Sequence, residues 1–158
     1  MSTARDVLDF KRQNSNRHNQ AHELWSIDAQ SSVYDATQLM EEKGIGALPV
    51  SEGASSLAGV LSERDCARAT ILKGLPADAT TVGQIMTREV IAVESDTHTD
   101  KCMYLMSHHQ IRHLPVKSGG DLIGIMSGSD VMKFIVREQH MTIESLESFI
   151  HDDEGGEG

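Results

Sequence analysis

Apolar positions along the chain fall into short runs parted by polar turn residues, and the order of the runs is written twice. The run "LWSI" (24–27) precedes a stretch in which Ala36, Leu39 and Met40 recur at i, i+3 and i+4, and two further runs follow, "ALPV" and "LAGVL", separated by Gly and Ser. The second passage reads "VIAV" (90–93), then Cys102, Leu105 and Met106 at the same helical spacing, then "HLPV" and "LIGIM". Runs of four or five residues bounded by turn formers predict strands, and the 3.6-residue spacing predicts a buried helix stripe. A last helix is predicted to start at Ser62 in one copy and Ser127 in the other. Each unit is therefore expected to be β-α-β-β-α, a sheet covered by two helices.

The register of the repeat carries detail. "IGALPV" ends at Val50 and "IRHLPV" at Val116, an offset of 66, which also pairs Ile27 with Val93, Leu39 with Leu105, Met40 with Met106 and Ile45 with Ile111. Beyond that strand the offset is 65, pairing Gly59 with Gly124, Ser62 with Ser127 and Asp65 with Asp130. One residue is thus inserted in "SEGASSLAG" relative to "KSGGDLIG", a change that a hairpin turn is expected to absorb. Ser32 to Asp35 and Thr97 to Asp100 both fit a capping box with Asp in place of Glu, and Gly44 suits a left-handed helix end. The repeat covers roughly residues 25 to 73 and 91 to 138.

Outside the copies, Ala4, Val7 and Leu8 predict a short helix, with the polar "NSNRHNQAH" after it as a loop. Pro76 marks a turn in the connecting segment, and Val82 to Met86 a short helical turn. Ile143, Leu146, Phe149 and Ile150 form one apolar face of a helix expected to begin near Thr142, and "HDDEGGEG" is expected to be disordered. The organisation read from the chain is 1–22 N-terminal helix and loop, 23–74 first unit, 75–87 linker, 88–138 second unit, 139–158 C-terminal helix and acidic tail.

Composition then narrows the chemistry. With 158 residues and 39% hydrophobic content the chain can bury a core. A net charge of −10, from 14 basic and 24 acidic residues, argues against nucleic-acid backbone binding but leaves room for a small phosphorylated ligand held by a few arginines. No apolar run approaches a membrane span, and "MSTARDVLDFKRQ" lacks a secretory h-region, so a cytoplasmic protein without a membrane partner is expected. Cys66 and Cys102 lie far apart and read as buried, reduced thiols. His98 and Cys102 have ligand spacing, and His108, His109 and His113 cluster, yet no complete metal set is legible. Met40, Met86, Met103, Met106 and Met126 read as core packing. Neither a nucleophile elbow nor a phosphate-binding Gly-rich loop is present, and no catalytic residue is assigned.

The motif "S-x-x-D" at Ser62 to Asp65 and Ser127 to Asp130 has two readings. A Ser N-cap with Asp three residues on closes a capping box. The same Asp carboxylate suits the two hydroxyls of a ribose, with the Ser hydroxyl and helix N-terminus facing a phosphate. The copies divide their positive charge: Arg64 lies within the first motif, whereas Arg112 and His113 of copy two replace Gly46 and Ala47.

Two units of this length, each with a central "I-x-x-LPV" strand and a closing "G-h-h-S-x-x-D" (h, apolar), resemble a tandem pair of cystathionine-β-synthase (CBS) domains, or Bateman module, over about residues 23 to 138. With little chain beyond the repeats, the resemblance is to the stand-alone type. It implies an α/β (α+β) fold, two CBS units packed sheet to sheet as a pseudo-two-fold pair, with clefts for adenosine-containing ligands. It also implies a homodimer and a regulatory role toward an unidentified protein. Site residues follow by the same analogy: Asp65 and Asp130 for ribose; Ser62, Arg64, Arg112, His113 and Ser127 for phosphate; Thr87, Val90, Ile91, Ala92, Leu114 and Pro115 for adenine. Trp25 to Ile27 and Ala47 to Pro49 fall to the other cleft. The expected function is non-enzymatic sensing of an adenine nucleotide of the AMP, ATP or NAD class, with no required cofactor. A structural dimerisation protein with degenerate clefts is the alternative, and an enzyme acting on NAD or AMP the third hypothesis.

Overall fold

The computed structural model describes residues 1–14 and 24–154; the loop expected over Asn14 to His22 lies outside them except for Asn14, as do the residues after Glu154. The elements run α1 (Ala4–Gln13), β1 (Ile27–Asp28), α2 (Val33–Lys43), β2 (Ala47–Glu52), β3 (Ser55–Ser62), α3 (Glu63–Ala67), α4 (Val82–Ile85), β4 (Val93–Glu94), α5 (Thr99–His109), β5 (His113–Ser118), β6 (Asp121–Ser127) and α6 (Gly128–Glu154). After Ala67, α3 widens into a turn over Arg68–Leu72, where the Lys73 N–H donates to the Arg68 carbonyl. Two three-stranded sheets result, β1-β2-β3 and β4-β5-β6. In each the first strand runs parallel and the third antiparallel to the middle one. The α/β architecture of two β-α-β-β-α units is the one read from the repeat.

Local details differ from the sequence reading. β1 and β4 are only two residues long, so "LWSI" and "VIAV" contribute just their last residue, and the chain ahead of each strand leaves the sheet edge. Both hairpins turn through two residues, between Glu52 and Ser55 and between Ser118 and Asp121. The inserted residue therefore enlarges a β-bulge rather than a turn: Ser56 to Ala58 lie against Ser51 in copy one, where Leu122 and Ile123 lie against Lys117 in copy two. Helix α2 starts as expected, with Ser32 Oγ accepting from the Asp35 N–H at 3.0 Å. Its counterpart α5 is capped at His98 and not at Thr97, with no side-chain cap bond; the Thr99 N–H donates instead to the Ser2 carbonyl. Helix α6 is continuous over 27 residues, because no Gly or Pro interrupts it between Ser129 and Glu154. The helix expected from Thr142 is its distal half, and His151 to Glu154 are helical where disorder was expected.

Each unit is completed by the helix that precedes the other. Ala4, Val7 and Leu8 of α1 join the core of the second unit with Val93, Cys102, Leu114 and Met126. Val82 and Met86, on and just after α4, join that of the first with Val33, Met40, Leu48 and Leu61. The two helices dock alike: the Ala4 and Arg5 N–H groups donate to the Thr97 and Ser95 carbonyls, as those of Val82 and Gly83 do to Ser31 and Ala29. This exchange explains the glycines that open the repeated "G-h-h-S" motif. A Cβ at Gly59 would stand 2.6 Å from Met86 Sδ, and one at Gly124 2.9 Å from Leu8 Cδ1. At both positions a Cβ would force a neighbour to move, a flexible side-chain tip at Gly124 and main chain as well at Gly59.

Candidate functional site

The first of two clefts between the units opens at the start of α3. Ser62, Glu63, Arg64, Asp65 and Arg68 line it from the first unit; Thr87, Glu89, Val90 and Ile91 from the segment before β4; and His109 to His113 with Pro115 from the second unit. Its volume of about 520 Å³ falls within the roughly 300–1,000 Å³ of small-molecule sites. The structure thus gathers Ser62, Arg64, Asp65, Thr87, Val90, Ile91, Arg112, His113 and Pro115 of the expected set. Arg64 and Arg112 come from different units, 48 positions apart in sequence, and face one space.

The remaining expected residues lie elsewhere. Ser127 and Asp130 belong to the second cleft. Leu114 is fully buried in the second unit's core, because strand alternation sends His113 and Pro115 to the cleft and Leu114 and Val116 inward. Ala92 lines neither cleft. Of the positions expected in the second cleft, Trp25 and Ala47 are there, whereas Ile27, Leu48 and Pro49 are buried among core residues. Sequence reasoning missed Arg68, which the four-residue step from Arg64 places on the same helical face, and Glu63, Glu89 and His109 to Ile111.

The capping reading holds in both copies. Asp65 Oδ2 accepts from the Ser62 N–H at 2.9 Å while Ser62 Oγ accepts from the Asp65 N–H at 3.2 Å. Ser127 and Asp130 repeat this at 2.8 and 3.0 Å. The capping bond takes one oxygen of Asp65 and leaves Oδ1 for another donor, so capping and ligand binding are compatible on one residue. Of the first three amides of α3, the Glu63 N–H is tied to the Gly46 carbonyl and that of Asp65 to Ser62. Thr87 is joined to Val60 by paired main-chain bonds of 2.9 and 3.0 Å, which use its N–H and one lone pair of its carbonyl oxygen.

Three arginines, Arg64, Arg68 and Arg112, and three acidic residues, Glu63, Asp65 and Glu89, line the cleft, so its charge is balanced within a chain of charge −10. His113 lies between the two clefts and lines both; the Cβ position of Gly46 is 3.5 Å from its Nε2. Burial holds the imidazole below its ordinary pKa, opposed by Asp130 and Asp65 and assisted by Lys11 and Arg112. It is neutral at neutral pH.

The second cleft is smaller, about 200 Å³, and is lined by Leu8, Lys11, Arg12, Trp25, Ala47, Ser127, Asp130 and Lys133 among others. Lys11 Nζ from α1 reaches Asp130 Oδ2 at 3.0 Å and the Ile125 carbonyl at 3.2 Å. The clefts share their motif but differ in occupancy by the protein's own side chains.

Among the described residues, no group of three His, Cys, Asp or Glu is placed to hold a metal ion, and no helix is long and apolar enough to cross a membrane. Cys66 and Cys102 are both buried free thiols.

A paired unit of this topology with a composite cleft defines a class of tandem two-domain modules. The CBS-domain family model matches residues 21–71 and 82–137, and the chain belongs to that family. It is 36% identical over 131 residues to the CBS domain-containing protein CBSX3, mitochondrial, of Arabidopsis thaliana, covering 80% of this chain and 63% of that protein's length. A protein with CBS domains from Burkholderia ambifaria MC40-6 is similar in structure, at a TM-score of 0.75 and 40% identity over 87% of this chain and 96% of the other. The crystal structure of CBSX2 in complex with AMP matches at a TM-score of 0.66 and 25% identity, over 88% of this chain and 99% of that one.

Proposed function

We propose that this chain is a non-enzymatic, cytoplasmic regulatory module that binds an adenine nucleotide of the AMP, ATP or NAD class in the Asp65 cleft. The observation that carries the reading is that Arg64, Arg68 and Asp65 from one unit and Arg112 from the other line a single cleft. In this reading Asp65 accepts both ribose hydroxyls, Ser62 and the three arginines hold phosphate, and Thr87, Val90, Ile91 and Pro115 flank the adenine. Guanidinium groups suit this task through charge-assisted, bidentate bonds to phosphate oxygens. The AMP complex of the related CBSX2 supports the ligand class.

A ligand touching both units shifts their packing only by its differential affinity for the two arrangements. A homodimer and a regulated partner protein would read that shift. The test is thermal unfolding with AMP, ADP, ATP, NAD and S-adenosylmethionine after removal of copurified ligand. A nucleotide at about 100 times its Kd adds about 2.7 kcal/mol, or about 5–10 °C at ~2–4 °C per kcal/mol. The shift is expected for the phosphorylated adenosines and is absent in Asp65→Asn. Intact AMP after prolonged incubation is the expected sign of a binder; turnover would make the protein an enzyme.

A second reading, a dimerisation protein with degenerate clefts, is favoured by the outward apolar face of α6, where Ile143, Leu146, Phe149 and Ile150 are all more than half exposed. That reading predicts a stable dimer with no nucleotide response.

A further inference from the structure

The two clefts carry the same "S-x-x-D" motif, yet α1 and the segment after α4 treat them differently. Both helices dock by equivalent main-chain bonds and set an apolar side chain, Leu8 or Met86, against the glycine of the facing strand. Helix α4 then stops at Ile85, and the chain departs in extended form to pair Thr87 with Val60. Helix α1 continues to Gln13, and its extra turn carries Lys11 along β6 to Asp130.

The ammonium bonds Asp130 Oδ2 at 3.0 Å and the Ile125 carbonyl at 3.2 Å, with the Lys11 and Asp130 side chains only 20% and 16% exposed. Asp65 has no ion pair among the described residues and faces the larger cleft.

We propose that Lys11 is a built-in stopper that closes the Asp130 cleft to nucleosides and confines nucleotide binding to the Asp65 cleft, one per chain. This rests on the reading of the Asp65 cleft given above. A ribose entering at Asp130 must displace the Lys11 ammonium from its carboxylate, and separating a mostly buried ion pair leaves that charge without its partner. The smaller free volume of that cleft, about 200 against 520 Å³, accords with a site filled by the protein's own side chain.

The test is titration calorimetry with AMP on the full chain and on Lys11→Met and Lys11→Gln, each checked for folding by its thermal transition. The expected stoichiometry is one AMP per chain for the unsubstituted protein and two for either variant. The added site is lost on introducing Asp130→Asn, whereas Asp65→Asn removes the original one. Stoichiometry of two before substitution, or of one in both folded Lys11 variants, overturns the stopper while leaving the Asp65 reading in place. If the unsubstituted chain binds no AMP but a Lys11 variant binds one, the stopper stands and the Asp65 reading fails. Binding by none of the proteins overturns both.

Discussion

The crossing of α1 and α4 beneath the two units makes a prediction about two glycines that the repeat makes formally equivalent. A methyl group at Gly59 would lie 2.6 Å from Met86 Sδ and 2.8 Å from the Thr87 carbonyl oxygen; at Gly124 it would meet Leu8 methyl carbons at 2.9 and 3.0 Å. A leucine tip can rotate away, whereas the Thr87 carbonyl is held by the Val60 N–H at 2.9 Å and the reciprocal bond at 3.0 Å. Overpacking costs about 1–3 kcal/mol, and displacing Thr87 forfeits bonds worth about 0.5–1.5 kcal/mol each. Against this, alanine is about 0.5–1 kcal/mol better than glycine within a strand. The net expectation is a loss of about 2–3 kcal/mol for Gly59→Ala and about 0–1 kcal/mol for Gly124→Ala. At ~2–4 °C per kcal/mol the Tm values should then differ by about 4–8 °C. Urea unfolding of the two variants, compared at equal m-value, measures this directly. Equal losses, or a larger loss at Gly124, would refute the argument that main chain and not side chain sets the limit at Gly59.

Further expectations follow from individual residues. Gln110 holds the left-handed end of α5 at φ 54° where copy one has Gly44 at φ 65°; Gln110→Gly should stabilise the chain by about 1 kcal/mol in denaturant unfolding, and no gain would mean the side chain makes a compensating contact. His113 is held below its ordinary value of 6.5 by burial, so the unfolded chain takes up a proton there before the folded one does. Its contribution to stability is complete above pH ~6.5 and falls as pH drops through the folded pKa, by at most ~1.4 kcal/mol per pH unit; His113→Gln should flatten that part of the curve, and an unchanged slope would contradict the assignment. Burial raises the pKa of both Cys66 and Cys102, with a Thr37 hydrogen bond opposing it at Cys66, so a thiol reagent at pH 8 should modify them only as fast as the chain opens. Rapid labelling of the native protein would count against two inert core thiols.

Periodicity made the two units legible, because a duplicated β-α-β-β-α pattern writes its apolar positions twice at a fixed offset. The capping boxes at Ser62 and Ser127 were legible for the same reason: their partners lie three residues away. What depended on distant chain was not. The α5 cap is supplied by the Ser2 carbonyl, 97 positions from Thr99, and no local motif announces it. The inward turn of Leu114 follows from which face of β5 meets the core, and strand alternation without a known register leaves that open. Lys11 meets Asp130 across 119 positions, so the inequality of the two clefts appears only once α1 is seen to pack on the second unit. Arg68 was within reach, since its spacing from Arg64 places both on one face of α3.

The most direct test of the central claim is AMP titration calorimetry on Asp65→Asn beside Asp130→Asn. Asparagine keeps an acceptor oxygen for the capping N–H, so either variant should fold. The account predicts that AMP binding is lost in Asp65→Asn and retained in Asp130→Asn; binding that survives the first substitution and disappears with the second would contradict it.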